Sequence, residues 1–306
     1  MHSHTHDTHG HNHDHPAFEE TNLTFLIAVG ANLALTGLEA VYGFLTNSVS
    51  LLGDAGHNLS DVLGLLLAWG AAFLATQRTS NAYSYGYRKS TILAAVLNAV
   101  FLIITTGFIA WRSVEKLISP SGIEELPVIV VAGIGILVNA ATAMMFIKGS
   151  KKDLNLRAAY LHLAYDAAIS AGVVVTAVVI MLTGWTRLDP LVGLVIVGII
   201  VFGTWGLLRD SVNLMIDAVP QHIDQDRVRS YLEGIEGVTD VHDLHIWAMS
   251  TTENCLTAHL VMPENTLWDS ETGYGEISKA LEREFGIHHV TLQVEKDPEC
   301  ATTACD

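Results

Sequence analysis

Over most of its length this chain does not alternate apolar and polar positions; the apolar residues run. Six stretches long enough to cross a bilayer follow one another: Leu23–Leu45, Val49–Ala75, Thr91–Leu117, Leu126–Ile147, Ala158–Leu182 and Leu188–Leu208. A helix needs about 20 residues to span a hydrocarbon core of roughly 30 Å, so the pattern predicts six transmembrane helices. Small residues at Gly193, Gly198 and Gly203 suit close helix packing in lipid. After Pro220 the rhythm changes to that of a water-soluble module. Asp224–Glu233 reads as an amphipathic helix, Val238–Trp247 and Leu256–Met262 as strands, Thr272–Phe285 as a helix and Val290–Val294 as a last strand. The expected fold class is an α-helical membrane protein with six transmembrane helices and a C-terminal α+β domain of order αββαβ. The expected domains are a tail over 1–21, a membrane domain over 22–212 and a soluble domain over 213–306.

Composition agrees. Of 306 residues, 50% are hydrophobic and only 16% charged, against about 25% charged in a typical soluble domain. Mean hydropathy is +0.37. The net charge of −16 opposes a nucleic-acid partner, which requires a basic surface. Three cysteines exclude a disulfide framework as the main source of stability.

An even number of spans puts both termini on one side, and the placement of Lys and Arg selects it. Arg78, Arg88, Lys89, Lys148, Lys151, Lys152, Arg157 and Arg209 fall on one face; Arg112, Lys116 and Arg187 fall on the other. Both termini are therefore expected in the cytoplasm. Residues 213–306 hold 18 Asp and Glu against 5 Lys and Arg, so most of the acid belongs to the cytoplasmic module. Compact size and minimal loops favour a bacterial inner (plasma) membrane.

Seven of the 15 histidines lie in the first fifteen residues, interspersed with Ser, Thr, Asp, Asn and Gly. There is no basic region or cleavage site of a secretory signal. Loose metal binding, a purification tag and a plain solvated tail all remain open for this segment.

Ionisable side chains inside a span are costly, so each is a functional candidate. The second span contains His57-x-x-x-Asp61 and the fifth contains His162-x-x-x-Asp166. Residues at i and i+4 project from one helical face. A single pair reads as an ordinary intrahelical hydrogen bond. The same pair in two spans supplies two imidazoles and two carboxylates, a set suited to tetrahedral Zn²⁺. Asp54, one turn before His57, reads either as support for that set or as a polar packing residue, and Glu39 as a structural hydrogen-bonding residue.

With these motifs the chain resembles the cation diffusion facilitator family, and within it the zinc-transporting members. The resemblance rests on the six spans, on Leu52-Gly53-Asp54-Ala55-Gly56-His57 leading to Asp61, on His162-x-x-x-Asp166 and on Val241-His242-Asp243-Leu244-His245-Ile246-Trp247. It covers about Leu23 to Asp297. It implies a homodimeric antiporter that exchanges Zn²⁺ for protons by alternating access, with Cd²⁺ or Co²⁺ left open as further cargo. It also implies that the soluble domain is metallochaperone-like and pairs across the dimer. His at the first ligand position, His57, resembles zinc-selective members.

The same resemblance implies a regulatory zinc site from His242, His259, His288 and Glu295, with His289 as an adjacent alternative. Cys300 and Cys305 lie near a cysteine pair of some relatives, and Lys89 and Asp217 match a charge pair at a hinge. Lys89 also reads simply as a positive-inside anchor, and His222 and His245 as surface histidines. The loop from Ser80 to Lys89 lacks carboxylate and imidazole, so no metal site is expected there.

The rival class is a membrane-anchored zinc sensor without transport. An anchor gains nothing from paired His and Asp at mid-bilayer depth. A channel is disfavoured because tight binding slows ion exit. No nucleophile elbow, phosphate loop or nucleotide fingerprint points to an enzyme.

Overall fold

The computed structural model describes residues 16–147, 154–263 and 271–296. Six long helices come first: α1 (Pro16–Leu45), α2 (Val49–Ala75), α3 (Ser90–Ile118), α4 (Glu125–Phe146), α5 (Leu154–Thr183) and α6 (Leu188–Met215). Among the described residues, five helices are long and apolar enough to cross a membrane, and α1 adds the apolar stretch Val29–Leu45. Large apolar side chains point outward along them, with Phe202 88% and Leu182 77% exposed, as lipid-facing residues do.

The chain divides into two compact units. One takes the residues through Val62 together with Ile109–Ile196; the other takes Leu63–Phe108 with Val197–Asp306. In the first, α4 packs along α5 and against α1. The buried residues of α4 are Val128, Val131, Ala132, Gly135, Asn139, Thr142, Ala143 and Phe146, a stripe at helical spacing. The α1–α2 turn is tight because Asn47 takes a left-handed φ of 56°, which asparagine tolerates well. Thr46 N–H donates to Tyr42 and Ser48 N–H to Gly43 across that turn. α5 ends at Gly184, whose φ of 68° lets its N–H reach the Ile180 carbonyl at 2.7 Å.

The second unit carries the soluble part: α7 (Gln225–Glu233), β1 (Asp240–Ala248), β2 (Asn254–Val261), α8 (Glu271–Phe285) and β3 (Ile287–Glu295). Its order is the expected αββαβ. β1 pairs antiparallel with β2, and β2 pairs parallel with β3. Asp224 caps α7 by accepting the N–H groups of Asp226 and Arg227. Val228 and Leu232 of α7 join Ile277 and Leu281 of α8 and the inward residues of the strands in one core. Each such side chain contributes about 1.5–3 kcal/mol through burial. β1 departs from simple alternation: a bulge between His242 and His245 holds Asp243 at a φ of 50°.

Candidate metal centre

Helical spacing does what the sequence pattern requires of it. α2 presents His57 and Asp61 one turn apart, and α5 presents His162 and Asp166 likewise. One ligand atom from each of the four lies within 4.8 Å of the others. His57 Nε2 is 3.4 Å from Asp166 Oδ1 and 3.8 Å from Asp61 Oδ2. His162 Nε2 is 3.3 Å from Asp61 Oδ2 and 3.6 Å from Asp166 Oδ2. The two rings meet edge to face with centroids 6.0 Å apart. Asp166 is buried, whereas the His162 side chain is 46% exposed, so one wall of the cluster is open. Asp61 Oδ2 and Asp166 Oδ1 have no hydrogen-bond partner among the described residues. Two imidazole nitrogens and two carboxylate oxygens, converging and unspent, form a donor set for a borderline-soft divalent cation.

The helix that supplies half of this set is held at its N-terminus by a residue the pattern reading missed. Asp189, fully buried in the first turn of α6, accepts Val49 N–H at 2.8 Å, Ser50 N–H at 3.1 Å and the hydroxyls of Ser48 and Ser50 at 2.7 and 2.6 Å. Lys116 adds an ion pair at 3.3 Å and also donates to the Asn47 carbonyl. A carboxylate on the exposed N–H groups of a helix is favourable both as a cap and against the helix dipole. The sequence signal was an acid at the start of an apolar span; nothing local tied it to α2.

A second cluster lies in the soluble part. His242 faces His259 across the β1–β2 pairing, and Glu295 closes the group from β3. Glu295 Oε1 is 3.0 Å from His259 Nδ1, and Glu295 Oε2 is 3.4 Å from His242 Nε2. One ligand atom from each of the three again falls within 4.8 Å of the others. The far nitrogens are occupied: His242 Nδ1 is 3.3 Å from Asp240, and His259 Nε2 is 3.4 Å from Asp243. Asp243 also meets His245 Nε2 at 2.8 Å. Asp243 was not readable as a partner because it sits in a strand bulge, whereas Asp240 stands two residues before His242 on the same strand face, a spacing that could have found it.

His288 does not join this cluster, which corrects the expected four-residue set. It opens β3 while Glu295 ends it, and seven steps at about 3.3 Å separate them. His288 Nδ1 instead accepts the Asn254 N–H at 3.4 Å. His289 sits 3.2 Å from Arg88, whose guanidinium also pairs with Glu253. His222 lies 3.3 Å from the Asn254 amide. Cys300 and Cys305 fall outside the described residues. Lys89 and Asp217 form an ion pair at 2.6 Å, with Asp217 held at a φ of 62° just after α6. Cys255 is buried in β2, and burial together with neighbouring Glu253 pushes its thiol up to about 11, so it is no reactive thiolate.

Comparison with known proteins agrees with this geometry. Residues 25–216 match the family described as cation efflux transmembrane domain, and residues 220–297 match cation efflux protein, cytoplasmic domain. The "cadmium, cobalt and zinc/H(+)-K(+) antiporter" of Bacillus subtilis is 34% identical over 291 residues, 94% of this chain and 92% of that protein. The "metal cation efflux system protein CzcD" of Cupriavidus metallidurans is 33% identical, covering 94% of this chain and 90% of its own. "Zinc transporter ZitB" of Escherichia coli is 32% identical, covering 95% and 93%. The chain belongs to the cation efflux, or cation diffusion facilitator, family.

Proposed function

We propose that this member of the cation efflux family exports Zn²⁺ from the cytoplasm in exchange for protons, by alternating access, with His57, Asp61, His162 and Asp166 holding the ion in transit. The observation that carries the reading is the convergence of those four side chains within 4.8 Å on two helices of membrane-crossing length. The relatives named for cadmium, cobalt and zinc antiport support the exchange and leave Cd²⁺ and Co²⁺ as further cargo.

The ligands themselves supply a reason for coupling. Histidine titrates near ~6.5, and imidazole and carboxylate bind metal only after losing their protons. Protons reaching the cluster from the far side therefore displace the ion, and the emptied site reloads from a cytosol kept poorer in protons. His162, the more exposed imidazole, offers one such proton an easy approach.

The remaining parts fit this frame. Residues 22–212 carry transport, and 213–306 form a cytoplasmic domain that pairs two chains into a homodimer. Both termini lie in the cytoplasm of a bacterial inner membrane, as the Lys and Arg placement supports. His242, His259 and Glu295 form a regulatory zinc site, and the Lys89–Asp217 pair acts at the hinge between membrane and soluble parts. Zinc uptake into proteoliposomes with and without an imposed pH gradient tests the reading. Saturable, gradient-dependent flux that Asp61→Ala removes is expected; absence of flux in the unaltered protein supports the membrane-anchored sensor instead.

A further inference from the structure

Behind the ligand quartet, within the same compact unit, lies a second polar group that zinc liganding leaves unused. Glu39 of α1 and Asp54 of α2 are both fully buried, each 0% exposed. Each has one oxygen satisfied: Glu39 Oε2 accepts the Asn58 amide at 2.9 Å, and Asp54 Oδ2 accepts the Ser170 hydroxyl at 2.7 Å. The other oxygens, Glu39 Oε1 and Asp54 Oδ1, have no hydrogen-bond partner among the described residues. Asn139 of α4, also fully buried, has neither its Nδ2 nor its Oδ1 satisfied. Neither acid forms an ion pair, and no hydrogen bond links either to a ligand side chain, among the described residues.

Gly135 lies one turn before Asn139 on α4 and brings that helix against the group. A Cβ there would stand 2.9 Å from Glu39 Oε1 and 3.1 Å from Ser170 Oγ. The charged groups facing Glu39 are Asp54 and Asp166; those facing Asp54 are Asp166 and His57. The pair is thus surrounded mainly by other acids, with no lysine or arginine to balance it among the described residues. An unpaired carboxylate at this depth is far costlier than a neutral carboxyl, so the group is built to hold a proton. A proton on the free oxygen also turns an unmatched acceptor into a donor.

We propose that Glu39 and Asp54 form a proton-binding pair, distinct from the zinc ligands, that releases a proton when the quartet loads and regains it when the quartet empties. The inference rests on the zinc-exchange reading above and assigns part of its counter-ion to named residues. A divalent charge entering beside Asp54 favours the ionised pair, and its departure favours the protonated one; by linkage the proton equally opposes the metal. Potassium fits less well. It requires a ring of oxygens, whereas here one oxygen of each acid is already committed and Gly135 closes the approach.

The test uses the full-length protein in weakly buffered detergent solution, with a pH dye reading protons released per zinc bound. Glu39→Gln and Asp54→Asn are expected to lower that number by a fraction of a proton. Because an amide mimics the protonated pair, they are also expected to weaken zinc binding at alkaline pH by about tenfold while leaving it within about threefold at acid pH, where the unaltered pair stays protonated. In proteoliposomes the stimulation of zinc flux by a pH gradient is expected to fall by about tenfold. Glu39→Asp, which keeps the carboxyl, restores the release and separates this role from a packing defect. Unchanged proton release in both variants overturns the proposal, as does loss of zinc binding as deep as that of Asp61→Ala, which makes the pair ligands. A zinc flux that depends on potassium over choline, and loses that dependence in Glu39→Gln, also overturns it in favour of a potassium site. If Asp61→Ala itself binds zinc normally, the zinc-exchange reading fails on its own, whatever the pair does.

Discussion

The two histidine–carboxylate clusters of this chain hold their imidazoles in different ways. In the membrane cluster, His57 Nδ1 is buried with no hydrogen-bond partner among the described residues, so no carboxylate tethers the ring from behind. In the soluble cluster each ring is tethered: Asp240 stands at the far nitrogen of His242 and Asp243 at that of His259. A carboxylate behind a histidine fixes its tautomer and raises its basicity, which strengthens metal binding. Tethering therefore suits an ion that stays, and its absence suits an ion that must leave once per cycle. The difference is the one that the proposed cargo site in the membrane and the proposed regulatory site in the soluble domain would require.

Removing one ligand from each cluster is the strongest way to break that contrast. Asp166→Ala is expected to reduce zinc flux in proteoliposomes by more than about a hundredfold, beyond the range seen for partners outside the coordination sphere. His242→Ala is expected to leave substantial flux while removing one zinc per chain from equilibrium dialysis. Equal loss of flux in the two variants would show that both clusters serve the transport cycle directly.

The next effect concerns support of the membrane cluster rather than its ligands. Asp189 and Lys116 are 0% and 4% exposed, and Asp189→Ala leaves the lysine buried without its partner. Breaking such a pair costs about 3–5 kcal/mol. Thermal or denaturant unfolding of the detergent-solubilised protein should show this loss. Zinc affinity in the surviving folded fraction should also weaken, because the N-terminus of α2 is no longer fixed. A folded protein of unaltered stability would mean that Ser48 and Ser50 cap α2 unaided.

How far each cluster was legible follows from its secondary structure. The quartet could be read because i and i+4 on a helix are neighbours whatever the tertiary fold. Only the meeting of α2 with α5 had to be supplied, and the repeated motif supplied it. The αββαβ order was legible from periodicity for the same local reason. The strand cluster depends on register, which is not local. His259 pairs with Gln293 and Val261 with Glu295 in the parallel register, which places Glu295 beside the two histidines and His288 at the opposite end. The bulge at Asp243 moves one side chain to the other face, and no alternation rule predicts it. Asp189 was missed on the same ground, since its partner Val49 lies 140 residues away.

A smaller effect tests the tethers. Asp243→Ala is expected to weaken zinc binding to the soluble cluster by about 10–100-fold, as removal of carboxylate partners behind histidine ligands does elsewhere. Asp243→Asn, which keeps a hydrogen-bond acceptor but not the charge, should fall between the two. Neither change should alter flux at saturating zinc by more than about twofold. An affinity unmoved by Asp243→Ala would remove the contrast between tethered and untethered rings.

The smallest effect separates geometry from stability. Lys89 and Asp217 form a closer ion pair than Lys116 and Asp189, at 2.6 against 3.3 Å, yet their side chains are 46% and 53% exposed. Solvent screens such a pair and both side chains lose rotamer freedom in making it, so its coupling should be about 0–1 kcal/mol in a double-mutant cycle. Raising salt from about 0.05 M to about 0.5 M should erase most of that coupling, because the screening length falls below the reach of exposed charges. The buried Lys116–Asp189 pair should keep its coupling over the same range. If the exposed pair instead proves salt-insensitive and worth several kcal/mol, then it is shielded in the membrane-bound dimer. The proposed hinge would then be a fixed joint, and the motion of the proposed cycle would have to lie within the helices.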